Sequence, residues 1–283
     1  MKLFDAHCHL QDPRILNKAP KLISTALDSG VLNFAVNGVS EKDWHLVKEM
    51  GDKYPSVIPC FGVHPWYVAE RSPSWFITLK EFFETTPSAA VGEIGLDKGS
   101  KGREIDFNDQ IEVFRQQLEL AKELKKPASV HCVRAFGDLL QIMKDIGPLP
   151  GFIMPMKAQK AKKMLKAIPS ERILLESDAP DALPNSELGS LFMVDEDPSL
   201  PQEFFAQGRS SASNVTIPFY NHSFASRDNS TLPKDMLNHP ANIHNVVDYV
   251  ATLLEISKEE LAELSYRNAV QLFSYQGSKV PLQ

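Results

Sequence analysis

Several classes of protein are excluded by what this 283-residue sequence contains little of. Its three cysteines form no CxxC pair and each lies in a strand-like run, which favours free buried thiols in a reducing compartment over disulfides. No apolar run is long enough to cross a bilayer. The N-terminal segment has an early acid, Asp5, and no apolar signal-peptide core, so we expect a soluble protein of the cytoplasm or nucleus with no membrane partner.

Positive charge is also scarce, because 36 acidic residues outnumber 30 Lys and Arg and leave a formal net charge of −6. This balance argues against a broad nucleic-acid-binding surface. It does not exclude a nuclease, since metal ions can supply the positive charge where a phosphate binds. The one basic cluster, within 157–166, has apolar residues at helical spacing on its other side, and we interpret it as a solvated helix face.

Short apolar runs alternate with helical patterns, which is typical of βαβ units and a parallel sheet. The predicted strands cover 3–9, 33–39, 57–63, 89–95, 127–133, 151–155 and 172–177. The predicted helices cover 18–29, 41–53, 74–85, 107–125, 136–146, 157–168, 241–255 and 258–273. A closed barrel of this type has eight strands, so the pattern predicts a (β/α) barrel that is one strand short.

Residues 185–238 differ from the rest of the chain, since they are rich in Ser, Asn, Asp and Pro and have no sustained periodicity. A loop of this length is usually functional or disordered. Because it follows the last predicted strand, it would lie on the active-site face of a barrel. We therefore predict a single barrel domain over 1–283 with a long loop insertion at 185–238.

Residues suited to metal binding lie near the ends of two predicted strands. His7 and His9 are two residues apart in a strand, so their side chains point to the same side and can bind one metal ion. Glu93 lies within an apolar strand, where a carboxylate is costly unless it is paired or bound to a cation. The structural alternatives are two core or surface histidines and a buried salt bridge.

Further strand ends carry a histidine or an acid. His131 ends the fifth predicted strand. Asp178 follows the last one, where a carboxylate can bind metal and accept a proton from the attacking water. Glu176 shares the face of Asp178 and is a candidate for orienting a ligand. His64 ends the third strand and is a candidate for contacting substrate phosphate, and Trp66 beside it is either a base-stacking face or part of the core.

Two other polar residues are interpreted as structural. Asp97 follows the strand that contains Glu93, and we interpret it as a loop or capping residue. His239 opens the helix after the long loop, and we interpret it as a cap rather than a metal ligand.

Several of these motifs resemble the TatD DNase family in their order and spacing. They are Asp5-Ala6-His7-Cys8-His9-Leu10, Gly62-Val63-His64-Pro65, Gly92-Glu93-Ile94-Gly95-Leu96-Asp97 and Glu176-Ser177-Asp178-Ala179-Pro180. The resemblance implies a TIM-like barrel, two sites for divalent metals (Mg²⁺, Mn²⁺ or Zn²⁺) and hydrolysis of phosphodiester bonds in DNA, often by 3′-end trimming.

The resemblance also assigns roles to individual residues. It places His7, His9, Glu93, His131 and Asp178 in the metal site, with Asp178 also the general base. Glu93 and Asp178 are therefore the predicted catalytic residues, His64 the predicted substrate-binding residue, and single-stranded DNA or a 3′ end the predicted substrate.

The sequence departs from the family pattern in two places. Between His131 and Asp178 the family has a further strand that carries a metal-binding histidine, but this chain has no histidine from 132 to 221. About one βα unit, on the order of thirty residues, is absent near 149–151. The other departure is the insertion at 185–238, where the family has a short loop.

The missing unit lowers the expected activity. We expect an incomplete or distorted barrel with one tight metal site instead of two and weak nuclease activity. Two alternatives stay open, a small-molecule amidohydrolase and a truncated, non-catalytic isoform that binds a partner. The oligomeric state is not predicted.

Overall fold

The structure, a computed structural model, describes residues 1–154, 165–184, 191–194 and 236–281. The predicted helix over 157–168 lies outside the described residues except for its last four, and most of the basic cluster lies outside with it. The same applies to most of the insertion at 185–238.

Strands and helices alternate along the first half of the chain. The strands are β1 (Leu3–Cys8), β2 (Val31–Asn37), β3 (Val57–Phe61), β4 (Ala90–Asp97), β5 (Ala128–Val133) and β6 (Phe152–Ile153). The helices are α1 (Ala19–Asp28), α2 (Trp44–Lys53), α3 (Trp75–Thr85), α4 (Phe107–Leu124), α5 (Phe136–Ile146), α6 (Ile243–Leu254) and α7 (Lys258–Phe273). These bounds confirm the corresponding predictions to within a few residues.

The six strands form one sheet in the order β1-β2-β3-β4-β5-β6. Parallel pairing joins β3 to β4, β4 to β5, and β5 to β6. Every residue of β1, β3 and β4 is buried, as expected for strands that are covered on both faces. This α/β arrangement confirms the predicted strand and helix alternation.

The prediction of a seventh strand at 172–177 was wrong, because this segment is not a regular strand. It nevertheless pairs with β1, since Ala6 N donates to Leu175 O at 2.9 Å and Asp178 N donates to His7 O at 3.0 Å. Between these bonds, Ser177 N donates to the Asp5 carboxylate at 2.8 Å instead of to a backbone carbonyl. That side-chain acceptor interrupts the ladder while keeping the segment beside β1.

The interpretation of 185–238 as a loop without secondary structure also needs correction. Strands β7 (Met193–Val194) and β8 (Leu237–Asn238) pair antiparallel at its two described ends. The Asn242 side chain accepts from Phe192 N at 2.8 Å and donates to Phe192 O at 2.9 Å, which holds the 191–194 segment in place. Strands of two residues have no periodicity to detect, so the sequence pattern could not reveal them.

The chain divides into two compact units. One contains Met1–Phe34 and Met156–Ala269, and the other contains Ala35–Pro155 and Val270–Gln283. The single domain over 1–283 stays a prediction. No helix in the described part of the chain combines the length and apolar character needed to cross a membrane.

His239 confirms its predicted capping role. It is the N-cap of the short 3₁₀ turn Pro240–Asn242, and its Nδ1 accepts from Ala241 N at 2.9 Å. Burial lowers the pKa of His239 from 6.5 to about 4, because a protonated imidazole would lose solvation there. The ring is therefore neutral at physiological pH, as an acceptor at Nδ1 requires.

We predict that His239 makes the folded state sensitive to acid. Its folded pKa lies below its unfolded value, so the unfolded chain takes up a proton first and stability is lost as pH falls from about 6.5 towards 4, by roughly 3 kcal/mol. His239→Asn keeps a capping acceptor but has no group that titrates. Urea unfolding at pH 7 and pH 4.5 should show that the variant loses less free energy of unfolding than the parent on acidification. His45→Asn is the control, because His45 is exposed, and this variant should lose as much free energy of unfolding as the parent. An equal loss in all three proteins would show that His239 is not the source of the acid sensitivity.

Candidate metal centre and active site

Three predicted ligands converge at the end of β1. His7 Nε2 lies 3.0 Å from His9 Nε2, because alternate residues of a strand share a face. Asp178 Oδ1 lies 3.8 Å from both nitrogens. The pairing of the Asp178 segment with β1 brings this carboxylate to the two imidazoles across a large separation in sequence.

The spacing of these three atoms fits a divalent cation. Metal–nitrogen and metal–oxygen bonds of about 2.0–2.2 Å place neighbouring ligand atoms roughly 3–3.6 Å apart. The observed separations of 3.0 and 3.8 Å are close to this range. Two imidazole nitrogens and one carboxylate oxygen are donors that suit zinc, manganese and related ions. His7, His9 and Asp178 can therefore hold such an ion with little movement.

Asp5 supports this cluster by binding Ser177, the residue before Asp178. The sequence pattern did not reveal this role. Asp5 is fully buried and accepts from Ser177 Oγ at 2.6 Å and Ser177 N at 2.8 Å. Burial raises the pKa of Asp5 to about 7, although the bonds from Ser177 oppose that shift. The sequence feature that pointed to Asp5 was its position at the start of the Asp-Ala-His-Cys-His motif. Glu176 is buried as well, and its predicted role in orienting a ligand stays a prediction.

The second unit contains another cluster of predicted site residues. The ligand atoms of His64, Glu93 and His131 all lie within 4.8 Å of one another. His131 Nδ1 lies 3.2 Å from Glu93 Oε1. Gly95 makes this proximity possible, since it has a φ of +151° and a Cβ there would collide with the His131 carbonyl oxygen. Strands β4 and β5 can approach this closely only with glycine at that position.

The geometry of His64 favours hydrogen-bond donation over metal binding. Its Nδ1 accepts from Trp66 N at 3.1 Å, so in the neutral ring the proton is on Nε2. A protonated nitrogen has no lone pair for a cation, although Nε2 lies 3.9 Å from Glu93 Oε2. His64 is therefore suited to donate to an oxygen such as that of a phosphate.

The interpretation of Asp97 as a loop residue was wrong, but its capping role is confirmed, since Asp97 Oδ1 accepts from Gly99 N at 2.5 Å. It is the last residue of β4, is buried, and accepts from Trp66 Nε1 at 2.6 Å. Asp97 Oδ2 also lies 3.0 Å from His131 Nε2. The side chain of Trp66 is thus engaged by Asp97, and Lys101 Nζ lies 4.2 Å from its ring centroid. Asp97 closes the same motif as Glu93, and that shared motif was the signal for its role.

Two buried glutamines of α4 hold the backbone beside His64 and at Asp97, the last residue of β4. Gln117 accepts from Val63 N at 2.7 Å and donates to Val63 O at 3.1 Å. Gln110 accepts from Asp97 N at 2.9 Å and donates to Gly102 O at 2.8 Å. These amides satisfy backbone groups at and beyond the strand ends, which fixes the site residues there.

Two carboxylates set the charge of His131. Burial alone would lower its pKa, but hydrogen bonds and charge attraction from Asp97 and Glu93 outweigh burial and raise the pKa to about 9. The metal-free ring is therefore protonated at neutral pH. A cation that binds there has to displace this proton.

The family model described as TatD related DNase matches residues 4–151 and 146–274 of this chain. The two matched segments meet at 146–151, where the sequence analysis places the missing βα unit. Together they cover more than half of the chain and include all the predicted site residues.

Individual proteins show the same relationship. The 3′-5′ ssDNA/RNA exonuclease TatD of Erwinia billingiae is 26% identical over 214 residues, which covers 64% of this chain and 80% of that protein. The human Deoxyribonuclease TATDN3 is 24% identical over 286 residues, which covers 96% of this chain and 94% of that protein.

A solved structure confirms the fold. The crystal structure of YJJV, a TatD homolog from Escherichia coli, matches with a TM-score of 0.69 at 20% identity and covers 96% of this chain and 98% of its own. The predicted TIM-like α/β fold is therefore confirmed.

We predict that Asp97→Asn lowers the pKa of His131. The neutral amide removes one of the two negative charges that stabilise the imidazolium, so the pKa should fall below about 9. The measurement is an NMR titration of His131 in metal-free protein. Trp66→Phe is the matched control, because it removes a donor to Asp97 but leaves the carboxylate in place. An unchanged His131 pKa in Asp97→Asn would show that the Asp97 carboxylate does not stabilise the imidazolium.

Proposed function

We propose that this chain, which belongs to the TatD related DNase family, hydrolyses phosphodiester bonds in DNA with the help of divalent metal ions. The observation that carries this proposal is the convergence of His7 Nε2, His9 Nε2 and Asp178 Oδ1 on one point. The name of the Erwinia relative, a 3′-5′ ssDNA/RNA exonuclease, supports single-stranded DNA and 3′ ends as the substrate.

The protein ligands divide unequally between two metal sites. His7, His9 and Asp178 would hold the first ion, and Glu93 and His131 would hold the second. The second site is the weaker one, since the chain has no histidine from 132 to 221 to replace the family's further ligand. Protonation of His131 in the metal-free state further weakens metal binding at the second site at neutral pH. Mg²⁺, Mn²⁺ and Zn²⁺ are the candidate ions.

Bound metal ions neutralise phosphate charge and lower the pKa of a nearby water molecule. Asp178 accepts the proton of the attacking water at Oδ2, because its Oδ1 is directed at His7 and His9. His64 donates from Nε2–H to a phosphate oxygen and so orients the scissile group. Asp97 holds the ring of His131 at Nε2, which leaves Nδ1 on the Glu93 side.

Two other functions compete with this one. A small-molecule amidohydrolase would share the paired histidines and the last-strand acid, and a truncated isoform would bind a partner without catalysis. The family match over residues 4–151 and 146–274 favours the nuclease over the amidohydrolase, and the converging ligand atoms of His7, His9 and Asp178 favour it over a non-catalytic isoform. A labelled oligonucleotide supplied with Mn²⁺ separates the nuclease from the other two, since only the nuclease degrades it.

We predict that Asp178→Asn lowers the turnover of a labelled single-stranded oligonucleotide by about 10²–10⁴-fold, because the amide cannot accept the proton of the attacking water. Circular dichroism should show an unchanged fold. Asp138→Asn is the control, since Asp138 pairs with Lys98 and belongs to neither cluster. Undiminished cleavage by Asp178→Asn, or by the parent in excess chelator, would refute the proposal.

We predict that His64→Gln raises KM for the oligonucleotide and leaves metal stoichiometry unchanged. Gln keeps an acceptor for Trp66 N but does not place a donor where imidazole Nε2–H lies, so substrate contact is lost and metal binding is retained. Steady-state kinetics and metal analysis of the same preparation give both values. A loss of bound metal in this variant would show that His64 is a ligand.

A further inference from the structure

Arg14 joins two acidic residues that lie far apart in the sequence. Its Nε and Nη2 donate to Asp12 at 2.9 and 2.8 Å, and its Nη1 and Nη2 donate to Asp181 at 2.9 Å each. The Arg14 side chain is only 9% exposed, whereas those of Asp12 and Asp181 are 23% and 39% exposed. The guanidinium is thus buried between two partly exposed carboxylates.

Each of these carboxylates belongs to a turn that begins at a residue of the first cluster. Asp12 N donates to His9 O at 3.0 Å, and Asp181 N donates to Asp178 O at 2.9 Å. Both acids therefore follow a candidate ligand by three residues and bond back to its carbonyl. A further bond, from His9 N to Ala179 O at 2.7 Å, joins the two turns.

We propose that Arg14 is a positioning residue for the metal centre, in which one guanidinium fixes the turns that begin at His9 and Asp178. This inference rests on the proposed function, since it assumes that His9 and Asp178 bind a metal ion. It assigns a role to a residue that contacts neither the ion nor the substrate.

The chemistry of the arrangement requires arginine. Four N–H···O bonds from one planar group fix the position and the orientation of both carboxylates. Asp12 and Asp181 outweigh the effect of burial and raise the pKa of Arg14, so the charge is permanent. A lysine would keep the charge but could not bind both carboxylates with the same geometry.

A purely structural ion pair would behave differently from a positioning residue. It would stabilise the metal-free and the metal-bound protein equally, so its removal would lower the melting temperature and leave metal affinity unchanged. A residue that fixes two ligands also prevents them from spreading apart, so its removal weakens metal binding in the protein that remains folded.

The experiment titrates Co²⁺ alone into parent, Arg14→Gln and Arg14→Lys proteins, with calorimetry for affinity and visible absorption for ligand geometry. We expect Arg14→Gln to bind the first Co²⁺ about 10–100-fold more weakly, with an altered absorption band, and Arg14→Lys to recover part of the loss. Arg71→Gln is the matched control, because Arg71 makes a two-bond pair with Asp109 that involves no candidate ligand. It should lower stability without changing Co²⁺ affinity.

If Arg14→Gln does not fold, Asp181→Asn provides the same test with the Asp12 bonds retained, and a weakened first site is again expected. Parent affinity and spectrum in a folded Arg14→Gln or Asp181→Asn protein would overturn the positioning role while leaving the proposed metal site intact. A parent protein that binds no Co²⁺ would instead overturn the metal site itself and the inference with it.

Discussion

The pairing of the segment around Asp178 with β1 is the interaction on which the candidate metal centre depends. It uses backbone bonds from Ala6, His9 and Asp178, together with the carboxylate of Asp5, which binds Ser177 through two atoms. An acid buried to this degree is costly unless it is hydrogen-bonded, so Asp5 strongly favours the register in which Ser177 lies opposite. That register places Asp178 Oδ1 equally far from His7 and His9.

A close approach of β4 and β5 has the same importance for the second cluster. Gly95 allows the His131 backbone to come near, and Asp97 and Glu93 then bind the two nitrogens of the His131 ring. In the first cluster two imidazoles share one carboxylate, whereas in the second the imidazole of His131 lies between two carboxylates. The second therefore holds a proton at neutral pH that a cation has to displace. This contrast is the reason that we propose different affinities for the two metal sites.

The sequence predicted the local parts of this arrangement better than the non-local ones. Strand alternation was enough to bring His7 and His9 together, because the period of two is a property of the strand alone. The predicted strand at 172–177 failed because a side chain, that of Asp5, takes the place of a backbone acceptor. Asp97 was interpreted only as a loop or capping residue because its other partners, Trp66 and His131, lie on a different turn and a different strand. No local sequence pattern identifies the role of Arg14, because its bond to Asp181 spans 167 residues.

The central claim is that the cluster at the end of β1 holds the tight metal ion. The most direct measurement is the number of tightly bound Mn²⁺ ions per chain, by calorimetry, in the parent and in the His7→Ala, His9→Ala double variant. The account predicts one tight ion and one weaker ion in the parent, and no tight ion in the double variant. Two tight, equivalent ions in the parent, or a tight ion that survives in the double variant, would contradict it.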